Sequence, residues 1–138
     1  MTKNPIFTSL VLPNGTSVPN RIAKAAMEEN LADIEGHAPS KEIFKLYDAW
    51  AKGGAGIIIT GNVMVDRYAF TGPGGIALDR DSDLALFRKW AEISKSGGGQ
   101  VWMQINHPGR QMRADLGLPV YAPSAVSRPS YSHHRLLT

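Results

Sequence analysis

The chain contains no cysteine among its 138 residues, so it can form no disulfide, no thiolate metal site and no cysteine nucleophile. It has no apolar run near the roughly 20 residues that a membrane-spanning helix needs, and its first residues lack the long apolar core of a secretory signal peptide. Hydrophobic residues make up 43% and charged residues 20% of the sequence, as in an ordinary globular domain. From these features we expect a cytoplasmic protein that has no membrane partner.

A concentrated positive charge is also missing. The net charge is +3 and the pI is near 9.3, but lysine and arginine occur singly along the chain, as Lys24 and Lys45 do. Without a basic run, or a basic stripe interleaved with aromatic residues, we expect solvated surface cations and no nucleic-acid partner. The phosphate-loop, dinucleotide-binding, HExxH and Gly-x-Ser-x-Gly motifs are absent too, so the enzyme classes that they mark have no support.

The hydrophobic pattern predicts a short hairpin followed by three longer strands. The hairpin, Ser9–Pro19, contains Asn14-Gly15, a pair that readily supplies the positive φ angles of a two-residue turn. The second of the longer strands begins with a continuous apolar run, which is typical of a parallel sheet that is covered on both faces. The three strands are predicted at Arg21–Met27, Gly56–Val65 and Gln100–Asn106.

Two amphipathic helices are predicted between these strands. The first begins after the N-cap Ser40 and stops at Gly53-Gly54, and the second runs from about Ser82 to Lys95. Val65–Arg80 is predicted to be a long loop, and the periodic pattern ends at Pro108. Strands that alternate with helices at this spacing predict an α/β fold with a right-handed parallel βαβαβ unit.

Small or polar residues follow each predicted parallel strand, at the end where α/β barrels carry their chemistry. The first strand runs into Ala25-Ala26-Met27-Glu28, and the second ends in Thr60-Gly61-Asn62. The third carries Gln104, whose amide is costly to bury unless it is partnered. Gln104 also begins the pattern Gln-x-x-His-x-Gly-Arg, which is completed by His107, Gly109 and Arg110.

Together, these segments resemble the opening portion of the old yellow enzymes, the family of FMN-dependent ene-reductases, and the resemblance extends to about Arg128. It implies that the backbone of the Ala25–Met27 stretch lies beside the flavin ring and that Glu28 faces the N5/O4 edge of the ring. It also implies that Gly61 lies against the pyrimidine edge. Gln104 would pair there with the N3–H group and the adjacent carbonyl, because its amide offers a donor and an acceptor on one plane.

Two positions depart from the pattern of that family. Ala26 replaces the usual proline, and Glu28 replaces the usual threonine or cysteine. A carboxylate at position 28 would oppose negative charge on a reduced flavin, so it should lower the reduction potential of the flavin. Without the resemblance, the two alanines are small core residues, Gly61 is a strand-end glycine, and Gln104 is an amide satisfied by neighbouring backbone.

The resemblance implies an incomplete (β/α)8 TIM barrel, because that fold takes about 250 residues and eight strands. Residues 1–138 would then be the N-terminal part of a single FMN-binding domain. Either other sequence completes the barrel, or the third strand has an exposed edge. The implied activity is hydride transfer from NAD(P)H through FMN to an activated alkene, a small-molecule substrate. Catalytic residues cannot be assigned, since the proton-donor tyrosine and the spaced histidine pair of the family lie on later strands. The adjacent pair His133-His134 does not match them.

Two other functions stay open. One is a truncated, non-catalytic product with at most an interaction role, which the tail Ser132–Thr138 favours because it departs from the family. The other is a different phosphate-binding barrel enzyme, which fits the order of strands and helices. That alternative leaves Gln104 and the segment after it unexplained.

Overall fold

The hairpin at the start of the chain is closed by a three-residue loop. The computed structural model describes residues 4–124 and 135–136. Strands β1 (Leu10–Val11) and β2 (Ser17–Val18) pair antiparallel. Leu12 N–H donates to the Thr16 carbonyl at 2.8 Å, and Gly15 is the one residue of the loop with a positive φ, at 83°. The predicted two-residue turn is therefore wrong, because the ladder closes around Pro13–Gly15 instead.

A parallel sheet is built around one long central strand. β4 (Ile57–Met64) pairs along one edge with β6 (Gln100–Asn106). Its other edge pairs near its start with β3 (Ala23–Lys24) and near its end with β5 (Ile76–Ala77). All of these pairings are parallel, which confirms the predicted βαβαβ order.

Two helices cover one face of this sheet. Helix α1 (Lys41–Lys52) is capped by Ser40, whose side chain accepts from Ile43 N–H at 3.2 Å. Helix α2 (Leu84–Lys95) is capped by Asp83, whose side chain accepts from Ala85 N–H at 2.9 Å. It begins two residues later than predicted because Ser82 bonds back to Asp79 instead. No helix in the described part of the chain is long and apolar enough to cross a bilayer.

The main core lies between the two helices and the sheet. It consists of apolar side chains from α1, α2 and β4 with contributions from the flanking segments. Val101 of β6 packs against this core, and Met103 lines a groove with Phe87 and Trp90 of α2. Because side chains alternate along a strand, Trp102 and Gln104 lie on the opposite face of the sheet, away from the helices.

Two strands differ in length from the predictions. Only Ala23 and Lys24 of the predicted strand Arg21–Met27 are paired, with Ile57 and Ile58 at the start of β4. The predicted loop Val65–Arg80 contains β5, which is too short to produce an alternating pattern. Both residues of β5 are buried.

The segment after β6 forms short elements. Two 3-10 helices, Gly109–Gln111 and Ala114–Leu116, precede β7 (Tyr121–Ala122), which pairs parallel with β8 (Arg135–Leu136). Met112 and Val120 are buried together with Ala69 of the loop after β4. The sequence pattern did not predict these contacts. His133 and His134 lie outside the described residues.

The outer edge of β6 is open. Among the described residues, β6 pairs with β4 alone. Its exposed apolar side chains are Trp102, Met103 and Ile105, the last of which is 69% exposed. The third strand thus has an exposed edge within the described residues, one of the two alternatives expected from the sequence.

Candidate functional site

The three segments predicted to bind a cofactor meet at one end of the sheet. Strands β3, β4 and β6 are parallel, so the residues that follow or end them lie on the same side. Met27 and Glu28 are exposed beyond β3, Gly61 is buried within β4, and Gln104 is half-buried in β6. Ala25 is exposed and Ala26 is half-buried, so neither alanine belongs to the core.

A bulge in β4 sets the register at this end. Ile59 pairs with Trp102 and Asn62 pairs with Gln104, so two residues of β4 stand opposite one residue of β6. The Thr60 hydroxyl accepts from Gln104 N–H at 2.9 Å and donates to the Gly61 carbonyl at 2.8 Å. This side chain replaces the backbone partner that the bulge removes. As a result, Asn62 lies directly opposite Gln104.

Asn62 and Gln104 form a pair of amides on the face away from the helices. Gln104 Nε2 donates to Asn62 Oδ1, so its partner is a neighbouring side chain rather than backbone. Among the described residues, the Gln104 carbonyl oxygen and the Asn62 amide nitrogen have no partner. Together they present an acceptor and a donor, which suits the N3–H and carbonyl edge of a flavin pyrimidine. Sequence reasoning missed Asn62, because its position opposite Gln104 depends on the bulge.

Gly61 is surrounded by the segment that follows β3. A Cβ at this position would lie 2.3 Å from the Met27 carbonyl oxygen and 2.2 Å from Glu29 Oε2. The two segments predicted to contact a flavin therefore touch each other directly. This contact requires glycine whether or not a ligand is present, so the flavin contact of Gly61 stays a prediction.

Glu28 is linked to the loop that follows β4. Its carboxylate accepts a hydrogen bond from the Thr71 hydroxyl. The same loop is joined to the segment after β3 by Ala32 N–H, which donates to the Gly74 carbonyl at 2.9 Å. His37 stacks on Phe70 with ring centroids 4.1 Å apart. The carboxylate that departs from the family pattern thus has a protein partner at the edge of the site.

Behind this site lies a buried charged cluster of Lys24, Glu29 and Tyr47. The side chains of Lys24 and Glu29 are 10% and 7% exposed, and Lys24 Nζ lies 3.5 Å from Glu29 Oε1. The Tyr47 hydroxyl donates to Glu29 Oε1 at 2.7 Å and accepts from Gly61 N–H at 3.2 Å. Lys24 also donates to the Ile59 carbonyl at 3.0 Å and lies 4.0 Å from the centroid of the Trp50 ring.

The position of Lys24 corrects one expectation. The sequence predicts a solvated surface cation, but Lys24 lies on β3 and its ammonium group lies over the Trp50 ring of helix α1. Burial lowers its pKa, and the nearby Glu29 carboxylate acts in the opposite direction. The sequence signal is a lysine inside a predicted strand, four positions before the first of two glutamates.

Tyr47 is expected to stay protonated in strong alkali as long as the chain is folded. Burial, followed by its hydrogen bond to Glu29, raises the pKa of Tyr47 far above its ordinary value. An unfolded tyrosine ionises near pH 10. The contribution of the buried, protonated Tyr47 to folding stability is therefore fully present below about pH 10. It is lost as the pH rises further, because ionisation then favours the unfolded chain. The absorbance of tyrosinate would show this, because lysine titration does not contribute to it. One of the four tyrosines should ionise only together with unfolding.

The Tyr47→Phe variant is the control for this titration and should lack the late step. If all tyrosines of the folded wild type ionised together near the ordinary pKa, Tyr47 would not be held as the structure indicates.

The chain is similar to curated flavin oxidoreductases along most of its length. It is 37% identical over 130 residues to the NADH-dependent flavin oxidoreductase iliE of Hypocrea jecorina, covering 91% of this chain and 32% of that protein. It is 36% identical over 132 residues to the NADH:fumarate oxidoreductase of Klebsiella pneumoniae, covering 94% of this chain and 14% of that protein. The chain thus spans about a third or less of these relatives. No family model matches it.

Solved structures share its fold. The old yellow enzyme homologue from Zymomonas mobilis superimposes with a TM-score of 0.84 at 20% identity, over 98% of this chain and 40% of that chain. A 2-naphthoyl-CoA reductase superimposes with a TM-score of 0.88 at 23% identity, over 97% of this chain and 22% of that chain. At this identity the likeness establishes the fold alone. It confirms the predicted α/β unit of an incomplete barrel.

Proposed function

The chain belongs to the NADH-dependent flavin oxidoreductases of the old yellow enzyme family, and from this premise we propose that it forms the N-terminal part of an FMN-binding barrel. The protein that contains it transfers hydride from NAD(P)H through FMN to an activated alkene. The observation that carries this proposal is the amide pair of Asn62 and Gln104 at the carboxyl end of the sheet.

This amide pair supports a flavin more than an unspecific polar ligand. Both amides lie on the face of the sheet that the helices leave free, and the pair offers one unused carbonyl oxygen and one unused amide nitrogen. A pyrimidine edge needs one acceptor and one donor. Beside the pair, Gly61 has no side chain of its own and packs against the Met27 carbonyl and the Glu29 carboxylate, so a flat ring can approach its backbone closely.

In this proposal the residues of the chain bind and tune the cofactor. Gln104 and Asn62 hold the pyrimidine edge, while Gly61 and the Ala25–Met27 backbone lie along the ring. The Glu28 carboxylate, held by Thr71, disfavours negative charge nearby and so lowers the reduction potential. When bound, FMN supplies the hydride transfer between NAD(P)H and the alkene.

The open edge of β6 supports a larger domain. Beside that edge, a groove of about 110 Å³ lies between α2 and the sheet, and Trp90 and Met103 are among the apolar residues that make up most of its lining. The indole N–H of Trp90 is buried without a partner among the described residues. Further strands and helices of the barrel would cover this edge and this groove. The acid that protonates the alkene would come from those elements.

The proposal that the substrate is an activated alkene rests on the family and on the name of one relative. The Klebsiella pneumoniae protein is named for fumarate, whose double bond is activated by two carboxylates. We place the substrate of this protein in the same chemical class.

Purification of the protein at its native length tests the proposal. It should be yellow, should release FMN on denaturation, and should have a mass well above the 15.0 kDa of the 138 residues. The 138-residue chain alone is the matched control and should bind FMN weakly or not at all, because the resemblance places the phosphate-binding loops on later strands. A colourless native protein that takes up no FMN would contradict the proposal. A native mass of 15.0 kDa without flavin would favour the non-catalytic product instead.

A further inference from the structure

We infer that Tyr47 is a positioning residue for the flavin site, an inference that rests on the proposed function. Its hydroxyl joins Glu29 to the Gly61 amide and so fixes the spacing between the two backbone segments that would lie against the ring. Tyr47 is fully buried on helix α1, and its ring makes edge contacts with Trp50 and Trp90 at centroid distances of 4.9 and 5.0 Å. It therefore acts through other residues and does not touch the ligand.

The first argument is the double hydrogen bond of one hydroxyl. The Tyr47 hydroxyl donates to Glu29 Oε1 at 2.7 Å and accepts from Gly61 N–H at 3.2 Å. Glu29 follows the predicted flavin segment after β3, and Gly61 lies in the bulge of β4. Within the bulge, this N–H is displaced from the regular β4–β6 ladder, so the hydroxyl satisfies a buried donor that would otherwise be unpaired.

The second argument is the cost of the cluster. A buried carboxylate and a buried ammonium lose hydration that their mutual attraction only partly restores, and apolar residues of similar size are often at least as stabilising. Glu29 and Lys24 are nevertheless placed here, and each has further partners that fix its position. Such an arrangement contributes more to a defined geometry than to net stability.

The third argument is the tight contact that the cluster holds together. A Cβ at Gly61 would collide with both the Met27 carbonyl and the Glu29 carboxylate. The backbones of the two segments are therefore packed closely together while the Tyr47 bridge is intact. Loss of the hydroxyl removes this bridge, which lies on the side of the sheet that faces the helices. The segments can then separate without any change in the residues that face the ligand.

Tyr47→Phe in the FMN-loaded, native-length protein tests this inference, with Tyr68→Phe as the matched control. Phenylalanine keeps the ring contacts and removes only the hydroxyl, whereas Tyr68 is 59% exposed on the loop after β4. We expect Tyr47→Phe to weaken FMN binding roughly 5- to 20-fold, the lower part of the range for an unsatisfied buried group, because the loss reaches the ligand only through Glu29 and Gly61. The visible absorption and circular dichroism bands of the bound flavin should shift, and amide hydrogen exchange should become faster at Gly61. Tyr68→Phe should change none of these.

The outcomes separate the inference from the proposed function. Faster exchange at Gly61 with unchanged FMN affinity and unchanged flavin bands would overturn the positioning role, while FMN binding itself would stand. Absence of change in all three measurements would overturn it as well. A wild-type protein that takes up no FMN would overturn the proposed function and this inference together.

A second variant covers the case in which Tyr47→Phe does not fold. Glu29→Gln keeps the shape of the side chain, weakens the acceptor of the Tyr47 hydrogen bond and leaves Lys24 without its counter-charge, so thermal unfolding is used first to check its fold. It should shift the flavin bands in the same direction as Tyr47→Phe. Flavin bands and affinity identical to those of the wild type in this variant would overturn the inference.

Discussion

Alanine in place of Gly61 is expected to destabilise the fold and to prevent FMN uptake. The added methyl group would lie 2.3 Å from the Met27 carbonyl and 2.2 Å from Glu29 Oε2, and the carbonyl belongs to backbone that cannot rotate away. Overpacking of this kind typically costs about 1–3 kcal/mol, and sometimes more. Urea unfolding of the variant should show a lower free energy of unfolding, and a fluorescence titration should show lost or strongly weakened FMN binding.

Gly53→Ala is the matched control for this substitution. Gly53 caps helix α1 with a φ of −67°, which alanine adopts readily, and its Cβ would meet only carbonyl oxygens of the preceding turn, the nearest at 3.2 Å. Its stability should be equal to or slightly above that of the wild type. A Gly61→Ala variant that unfolds at the same urea concentration as the wild type would mean that the segments after β3 and within β4 are not in contact.

Leucine in place of Gln104 should weaken FMN binding while the fold remains. The substitution removes the amide that would pair with the flavin and also leaves the Asn62 side chain without its partner. Leaving a buried polar partner unsatisfied costs roughly 1–3 kcal/mol, which corresponds to about a 5- to 150-fold increase in Kd. Quenching of FMN fluorescence by the native-length protein measures the Kd, and thermal unfolding checks the fold.

His107→Leu provides the comparison for Gln104. His107 is exposed, and its Nδ1 accepts from Gly109 N–H at 3.1 Å, so it serves its own loop. The increase in Kd should be much smaller than for Gln104→Leu. Equal affinities in wild type and Gln104→Leu would remove the flavin contact and leave only the likeness of fold.

The elements that the sequence predicted well are those with strong local signals. Helix α1 begins after Ser40 and ends before Gly53, where a side-chain cap and a glycine pair mark its ends. Strand β6 has the predicted bounds, because the glycines before it and His107-Pro108 after it interrupt the pattern. These signals come from residues close in the chain, and physical preferences of single residues suffice to interpret them.

What the sequence could not predict depends on residues far apart in the chain. Strand β5 exists because Ile76 and Ala77 meet the end of β4, which no pattern of two residues announces. Glu29 and Tyr47 are 18 positions apart, and their contact follows from how α1 lies on the sheet. Lys24 was misplaced for the same reason, since a lone lysine is usually solvated. The sequence thus predicted which strands contribute to the site. It did not predict the buried cluster behind the site or Asn62 as the partner of Gln104.

The bulge in β4 also changes the phase of the strand. Ile58 and Val63 both belong to the core beneath the helices, although they are five positions apart. In a regular strand, two residues separated by an odd number of positions point to opposite faces. The extra residue at Thr60-Gly61 therefore exchanges the two faces halfway along the strand. If it were deleted, Asn62 would turn into the apolar core and Val63 would turn to the open face. The location of the polar site is set by a count of residues along β4 as much as by their identities.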